Sequence, residues 1–359
     1  MSDPNINPLN APGLGMVLDG PARPKGRKPK DIRQYAAQLM RVARKVPEVV
    51  IKVRAGGSKG PGHVLAHMTY ITRNGKIDAY NERDEKISGN EEVKEVFKEW
   101  GFSTAKASTR QRAQTVNFVL SMPEGTDPEA VLGAARAFAK KQFGANHQYL
   151  LALHTPETDP DPKAPPHPHV HLSVKAQGYD LTWLKRTKED LQRWREDFAE
   201  KLRDRGVEAE ATPRKARGVV KKSKSQAMHH FAKEPKRSRV IAAKVEETIR
   251  DIDGGAPEAP RPWDRAIQAS QAQVRETYAQ VEQELRQSRH EDDRKAADQL
   301  AGFLRGLPPV ETERKALRRQ IETVIEGGRD QVPGGQEPGK SRDGGPIGGQ
   351  DMGEGGREK

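Results

Sequence analysis

Apolar positions in the first part of the chain recur with two different periods. Ile32, Tyr35 and Leu39 lie three or four residues apart, which places them on one face of a helix over 31–45. Further helical spacings predict helices over 63–73, 90–101, 127–143 and 187–205. Short apolar runs are typical of strands instead, and four occur: VVIKVRA (49–55), TVNFVLSM (115–122), QYLLALH (148–154) and HVHLSVKA (169–176). Strands interleaved with helices predict one mixed α/β layer domain over about 31–215.

The segments outside this domain differ from it in composition. Residues 1–30 are rich in Pro, Gly and Asn before they turn basic, and 327–359 are rich in Gly, so we expect both to be disordered. A basic helical segment over 216–253 and a Pro/Gly linker over 254–262 separate the domain from a charged helical region.

That helical region covers 263–326 and carries its own apolar pattern. The apolar residues that fall near heptad spacing are Ile267, Val274, Tyr278, Val281 and Leu285. This spacing indicates a partner helix or a short coiled coil.

Composition changes the picture in three ways. With 33% hydrophobic and 32% charged residues, only part of the 359-residue chain can bury a core. The net charge of +12 favours an anionic partner. The absence of cysteine excludes disulfides and thiolate metal sites, and no apolar run approaches the roughly 18 residues of a membrane span. Because the N-terminus also lacks a signal-peptide pattern, we expect a cytoplasmic protein without membrane insertion.

The strongest chemical signal is the alternation of His167, His169 and His171 at the start of an apolar strand. Residues two apart on a strand point to the same face, so His169 and His171 present two imidazoles side by side. Two imidazoles at this spacing can share one metal ion, and His154, at the end of the neighbouring predicted strand, is the expected third ligand. A solvated histidine-rich loop is the alternative, since Pro165, Pro166 and Pro168 disfavour a strand.

An all-nitrogen donor set favours Mn²⁺, Zn²⁺ or Ni²⁺ over Mg²⁺ in affinity. The ion used in a cell also depends on metal availability. The ligands alone do not decide the metal, and the expected cofactor is a divalent ion, Mg²⁺ or Mn²⁺, with Zn²⁺ as the alternative.

A second signal lies in the helix after the Gly-rich loop GGSKGPG (56–62). His63, His67, Tyr70 and Asn74 share one face of this helix. A tyrosine beside histidines can be aimed at a phosphate, although a lone tyrosine at such a position is more often part of the core.

Three segments in this order resemble the three motifs of conjugative relaxases: HMTYITRNGKI (67–77), FVLSMPEGTD (118–127) and HPHVHLSVKA (167–176). The likeness is to the plasmid-mobilisation and T-DNA border endonuclease branch of the HUH nucleases, whose name denotes a histidine-hydrophobe-histidine motif. It runs from about Val49 to His229, including EATPRKARG (210–218). The resemblance implies an α+β fold, with a central antiparallel β-sheet flanked by helices, followed here by a helical extension and a disordered tail.

The resemblance also implies roles for individual residues. Tyr70 matches the nucleophile, which would nick one DNA strand through a 5′-phosphotyrosyl intermediate. Arg73, in the turn behind it, is expected to contact DNA. Ser121 is also expected to contact DNA, because it matches a motif associated with holding DNA beside the nick. The residues that match the metal-binding histidines are His154, His169 and His171, whereas His167 is a supporting residue or an alternate ligand.

The chain departs from the family pattern after His154. The family keeps an Asp two residues further on, where this sequence has Pro156, and TPETDPDPKAPP lengthens the gap to the histidine cluster. Asp159, which we take as the catalytic carboxylate, or Glu157 is expected to replace the missing group.

A basic run over 214–244 carries eleven Lys and Arg residues against one acid, Glu234. We expect Arg217, Lys221 and Lys222 to contact DNA phosphates, with a solvated charged helix as the alternative.

The resemblance implies DNA at a transfer origin, accessory relaxosome proteins and a type IV secretion coupling protein as partners. It leaves open transfer to a recipient cell together with the DNA. Three other interpretations stand beside the relaxase: a rolling-circle replication initiator of the same nuclease class, a histidine-triad nucleotide hydrolase with His169 as nucleophile, and a non-catalytic basic DNA-binding accessory protein.

Overall fold

The computed structural model describes residues 17–18, 32–56, 60–102, 113–159, 165–219, 239–254, 262–310 and 312–329. Within them, six strands form one sheet in which every pair of neighbours is antiparallel. The strands are β1 (Val50–Gly56), β2 (Ala79–Asn81), β3 (Lys86–Ile87), β4 (Thr115–Ser121), β5 (Tyr149–His154) and β6 (His169–Lys175). Their order is β1-β4-β6-β5-β2-β3.

Helices flank this sheet and continue beyond it. They are α1 (Ile32–Ala43), α2 (Pro61–Ile71), α3 (Gly89–Glu99), α4 (Pro128–Gln142), α5 (Lys188–Arg203), α6 (Arg239–Asp253), α7 (Pro262–Arg286), α8 (Glu291–Arg305) and α9 (Glu313–Arg329), with a 3₁₀ helix at Arg214–Arg217. The expected α+β fold, with a central antiparallel sheet and a helical C-terminal part, is confirmed. The sequence pattern did not predict β2 and β3, because three and two residues are too short to show alternation.

The two faces of the sheet have different cores. On one face, α4 and α5 cover a large apolar cluster that includes Val170, Leu172 and Val174 of β6. On the other face, α2 and α3 cover a smaller cluster that includes Leu150 and Ala152 of β5. Alternation along each strand therefore decides which side chains join which core.

Local signals fix where the main helices begin. The Asp127 side chain accepts hydrogen bonds from the backbone N–H groups of Glu129 and Ala130, which caps α4. Thr187 and Asp190 form a reciprocal capping box at the start of α5. Both caps anchor helices that bury the apolar face of the sheet.

Helix α2 ends at Ile71, two residues before the end that the pattern predicts. The Thr72 hydroxyl donates to the Met68 carbonyl over 2.9 Å, and the next three residues all have positive φ. At Gly75, with φ of 72°, an added Cβ would lie 2.3 Å from the Asn90 nitrogen. Only glycine fits this turn, which brings the chain back beneath α2.

The described residues divide into two compact units, the first drawn from 1–222 and 260–311 and the second from 223–259 and 312–359. In the first unit, α7 packs against α8, and the Tyr278 hydroxyl donates to the Ala216 carbonyl over 3.0 Å. Four of the five heptad-spaced residues share an apolar cluster with α8, and Ile267 does not belong to it. Val17 and Leu18 from the expected disordered arm are also buried in this cluster, because the arm holds an apolar pair among its Pro and Gly residues.

The second unit contains α6 and α9, which pack together. Arg314 of α9 forms an ion pair with Asp251 of α6. None of the helices in the described ranges is long and apolar enough to cross a membrane.

Candidate active site

Strand alternation places three histidines on the same side of the sheet as α2. In β6, Leu172 belongs to the core under α4 and α5, so His169 and His171 point to the opposite face. In β5, Ala152 belongs to the core under α2 and α3, so His154, two residues further on, points the same way. The pairing register puts His154 directly opposite His169.

The three imidazoles are close enough to share an ion. Their ring centroids lie 4.5 Å apart for His154 and His171, 5.2 Å for His169 and His171, and 5.3 Å for His154 and His169. One ring nitrogen from each lies within 4.8 Å of the others. This donor set fits a divalent metal ion held by three neutral imidazoles, as in catalytic sites that keep further positions open.

Hydrogen bonds define which nitrogen carries the hydrogen on two of these rings. His154 Nε2 lies 2.8 Å from the Ile71 carbonyl, which can only accept, so Nε2 carries the hydrogen and Nδ1 the lone pair. This lone pair accepts a hydrogen bond from Arg73 Nη2, which a metal ion at the same nitrogen would replace. His169 Nδ1 donates to the His167 carbonyl over 3.1 Å, which leaves its lone pair on Nε2. Backbone carbonyls thus orient the rings as supporting groups do around metal-bound histidines.

Burial keeps the cluster neutral. Desolvation, together with the Arg73 and His169 charges, lowers the pKa of His154 to about 4, although the hydrogen bond to Ile71 opposes this. Desolvation and the neighbouring histidines lower the pKa of His171 to about 2. The pKa of His169 is lowered as well, mainly by burial. Neutral imidazoles are the form that binds metal.

Tyr70 extends from α2 over this cluster. Its ring centroid lies 5.6 Å from that of His171 and 6.1 Å from that of His154. Tyr70 is 50% exposed, so a large substrate can reach its side chain. His67, one turn earlier, stacks on Tyr70 at 6.2 Å and contacts His171 at 6.5 Å.

Arg73 connects the tyrosine, a histidine and a carboxylate. Its guanidinium carbon lies 5.1 Å from the Tyr70 ring centroid, and its Nη2 donates to His154 Nδ1 over 3.1 Å. The same Nη2 donates to Asp159 Oδ2 over 2.5 Å, in an ion pair that is largely buried. Arg73 has a φ of 51°, and a non-glycine residue held in this region points to a constrained position.

The remaining expected site residues fall at different places. Ser121 is buried and pairs with His169 across β4 and β6. Glu157 is exposed, whereas Asp159 reaches the histidines through Arg73. The His167 ring centroid lies 5.8 Å from that of His169, and His167 is not among the three residues with converging nitrogens.

The expected DNA-binding cations fall at different places, and Arg73 is the one that contacts the histidine cluster, where it is paired with Asp159. Arg217 Nε lies 3.0 Å from Glu48 Oε1 in an ion pair on the 3₁₀ helix. Lys221 and Lys222 lie outside the described residues.

Sequence reasoning missed how Arg73 and Asp159 are arranged. They are 86 positions apart and meet only because the left-handed turn after α2 returns Arg73 toward β5. The run Arg73-Asn74-Gly75 indicated a turn. No pattern in the sequence, however, gives the direction in which the Arg73 side chain points.

Residues 70–207 match the family described as "Relaxase: MobA/VirD2-like, nuclease domain". Over these residues the chain is similar to the nuclease domain of MobA/VirD2-like relaxases. The matched segment contains Tyr70 and all three converging histidines. The chain is also 26% identical over 236 residues to the T-DNA border endonuclease VirD2 of Rhizobium radiobacter, covering 60% of this chain and 52% of that protein. It therefore spans about half the length of this curated relative.

Proposed function

We propose that this chain nicks one strand of DNA at a transfer origin through Tyr70 and so initiates conjugative transfer or mobilisation. One observation carries the proposal: the ring centroid of the half-exposed Tyr70 lies within 6.1 Å of those of His154 and His171, which belong to the three-histidine cluster. The relaxase family match and the similarity to a border endonuclease support it.

The proposed reaction is a transesterification. The Tyr70 oxygen forms a bond to the scissile phosphorus, and the bond from phosphorus to the 3′ oxygen breaks. The phenolic proton is lost and the 3′ oxygen gains one, so the products are a 5′-phosphotyrosyl link and a free 3′-hydroxyl. Because one phosphodiester replaces another, the step can run backwards and rejoin the strand.

His154, His169 and His171 would hold the divalent ion, for which Mg²⁺, Mn²⁺ and Zn²⁺ are the candidates. A bound ion would supply Lewis-acid stabilisation of charge on the phosphate oxygens. The protein fixes the ring orientations through the Ile71 and His167 carbonyls before any substrate arrives.

Arg73 and Asp159 act in this proposal as positioning residues. The guanidinium lies against the Tyr70 ring and limits its movement, and its delocalised charge is attracted to the ring face. The Asp159 carboxylate holds Arg73 in place through their ion pair, in place of the carboxylate that this chain lacks at Pro156. Ser121, opposite His169, would contact the DNA strand beside the nick.

The partners proposed for the whole protein follow from this function. They are single-stranded or supercoiled DNA at a transfer origin, accessory relaxosome proteins and a type IV secretion coupling protein. The protein would act in the cytoplasm, with transfer to a recipient cell as an extension of the same proposal. A rolling-circle replication initiator would share the chemistry but act at a replication origin.

A plasmid nicking assay tests the function. The full chain is incubated with a supercoiled plasmid that carries the intergenic DNA next to its own coding sequence, with Mn²⁺ or with a chelator. We expect relaxed circles covalently linked to protein only with metal and only when Tyr70 is present. Tyr70→Phe should abolish the link, and Tyr80→Phe should not, because the Tyr80 ring lies under Arg136 at 4.0 Å. Nicking by Tyr70→Phe would contradict the proposal.

A further inference from the structure

The sheet face that carries the histidines is only partly covered. Leu150 of β5 is fully buried on this face beneath α2 and α3, whereas Val50 of β1, on the same face, is 42% exposed. The less covered part of the face lies on β1 and on the middle of β4, next to β6, whereas Ser121 at the end of β4 is buried.

Cross-strand pairing shows which residues of β4 and β1 lie beside the histidines of β6. His171 pairs with Val119 of β4, and Val119 pairs with Lys52 of β1. The next row runs from Ser173 through Asn117 to Arg54. Directly paired residues point to the same face, so Lys52 and Arg54 lie on the side of the histidines. Two strand spacings put the Lys52 backbone about 10 Å from that of His171.

Both cations are exposed, and among the described residues neither forms an ion pair. Other arginines of the same unit are paired: Arg41 with Glu210, Arg73 with Asp159 and Arg217 with Glu48. The candidate ligand for these two cations is the DNA phosphate backbone, because each cation can neutralise one DNA phosphate.

We propose that Lys52 and Arg54 form a phosphate-binding row that holds the single strand next to the scissile phosphate. This inference rests on the proposed function for its substrate class, but its binding test does not need nicking. Consider a single DNA strand that runs across β4 with its scissile phosphate beside Tyr70. The neighbouring phosphates of this DNA then lie over the Lys52 and Arg54 side chains. Asn117 and Val119, both partly exposed, form the floor between them and the histidines.

A different explanation for the same cations is protection of an edge strand. β1 is at the end of the strand order, and charged side chains on an edge discourage pairing with another chain. That role predicts a change in aggregation and none in affinity for DNA, so one series of variants separates the two explanations.

The experiment compares binding of the full chain to fluorescent oligothymidine at several salt concentrations. Lys52→Ala with Arg54→Ala should lower the salt slope by about 1.4, since each contact to a single strand adds about 0.7. The same slope change corresponds to about 25-fold weaker binding at 0.1 M salt, with little difference near 1 M. Lys52→Arg should leave the salt slope as in the unaltered chain, because the positive charge at this position is kept.

The matched control removes two exposed lysines on the α4 and α5 side, by Lys140→Ala with Lys188→Ala. It changes the net charge equally and should leave affinity and slope near those of the unaltered chain. An equal loss in both double variants, or no loss in either, would overturn the proposal. So would aggregation of the β1 variant with unchanged affinity in the remaining monomer.

The plasmid assay keeps this test separate from the proposed function. If the unaltered chain forms no covalent link to DNA but the β1 variant binds oligothymidine more weakly, nicking fails and the phosphate row stands. If the chain forms the link and the β1 variant binds as well as the unaltered chain, the row fails and nicking stands.

Discussion

The two faces of β6 show how one strand serves stability and chemistry at the same time. Val170, Leu172 and Val174 are fully buried against the large core. On the other face, Ser173 donates to Asn117 Oδ1 over 2.9 Å, and His169 donates to the His167 carbonyl. Among the described residues, His171 has neither of its ring nitrogens in a hydrogen bond.

This difference separates what holds the strand from what the strand can bind. Close packing of the apolar face holds the β6 backbone in place. The histidine face therefore does not have to contribute apolar contacts to the stability of the strand. Burial on the histidine face instead removes protons from the rings. We therefore expect substitutions at adjacent positions of β6 to affect different properties: metal affinity on the histidine face and the free energy of unfolding on the apolar face.

The largest expected effect is on metal affinity when a converging histidine is removed. His169→Ala and His171→Ala should each weaken Mn²⁺ binding by more than the ten- to hundredfold that a supporting hydrogen bond contributes. His167→Ala should cost less, because the His167 backbone carbonyl, and not its ring, orients His169. Isothermal titration of the full chain measures each variant.

Equal losses at all three positions would make His167 a ligand as well and would break the assignment of His169 and His171 as the pair on β6. A silent His154→Ala would move the third ligand elsewhere, with Asp159 and Glu157 as the first residues to examine.

The apolar face should show the opposite behaviour. Leu172→Ala leaves a cavity in the core under α4 and α5 and should lower the free energy of unfolding by about 2–5 kcal/mol. Metal affinity of the folded protein should stay close to that of the unaltered chain. Urea unfolding with a chelator present gives the stability, and titration at a temperature where the variant is folded gives the affinity. A large loss of metal affinity in this variant would show that the two faces are not independent.

A pH series sharpens the comparison, because the histidine face alone titrates. Burial lowers the pKa of His154 to about 4 in the folded state, against about 6.5 in an unfolded chain. The unfolded state therefore binds more protons between these values, and metal-free stability should fall as pH drops from about 6.5 toward 4. Each such histidine contributes at most about 1.4 kcal/mol per pH unit.

His154→Gln should flatten this dependence in urea unfolding at several pH values. His63→Gln, at an exposed position on α2, is the control and should leave it unchanged. Identical slopes for the unaltered chain and His154→Gln would refute the link between burial and neutrality at the site.

The last expected effect concerns the basic run 214–244 and its contribution to DNA affinity. Replacing Lys221, Lys222 and Lys224 together by Ala should reduce the salt slope of single-strand binding by about two. Preference for a nick-site oligonucleotide over a scrambled one should stay the same, because phosphate contacts carry no sequence information. An unchanged slope would assign the run to a solvated surface, and a selective loss on the nick site would assign it to base recognition.

The sequence predicted the parts of the site that depend on strand alternation. The spacing of His169 and His171, and the position of His154 at the end of an apolar run, were enough to place three rings on adjacent strands. The apolar runs were also enough for β1, β4, β5 and β6, because each alternates or is apolar throughout.

The contacts of Arg73 could not be predicted in the same way. They depend on three consecutive left-handed residues after α2 and on the exact end of the helix at Ile71. Helix ends are the least certain feature of a sequence pattern, and a shift of two residues turns a side chain to another face. The phosphate-binding row of Lys52 and Arg54 could not be predicted for another reason. The sequence shows the alternation within β1 but not the register of β1 with β4.

The most direct test of the whole account is to locate the covalent bond to DNA. The full chain is trapped on its nicked plasmid in the presence of Mn²⁺, digested with protease and nuclease, and the nucleotide-bearing peptide is identified by mass spectrometry. The account predicts a residual nucleotide on Tyr70, attached through a 5′ phosphate, and none when His171→Ala replaces the unaltered chain. A nucleotide on Tyr80, or strand cleavage without any adduct, would contradict it.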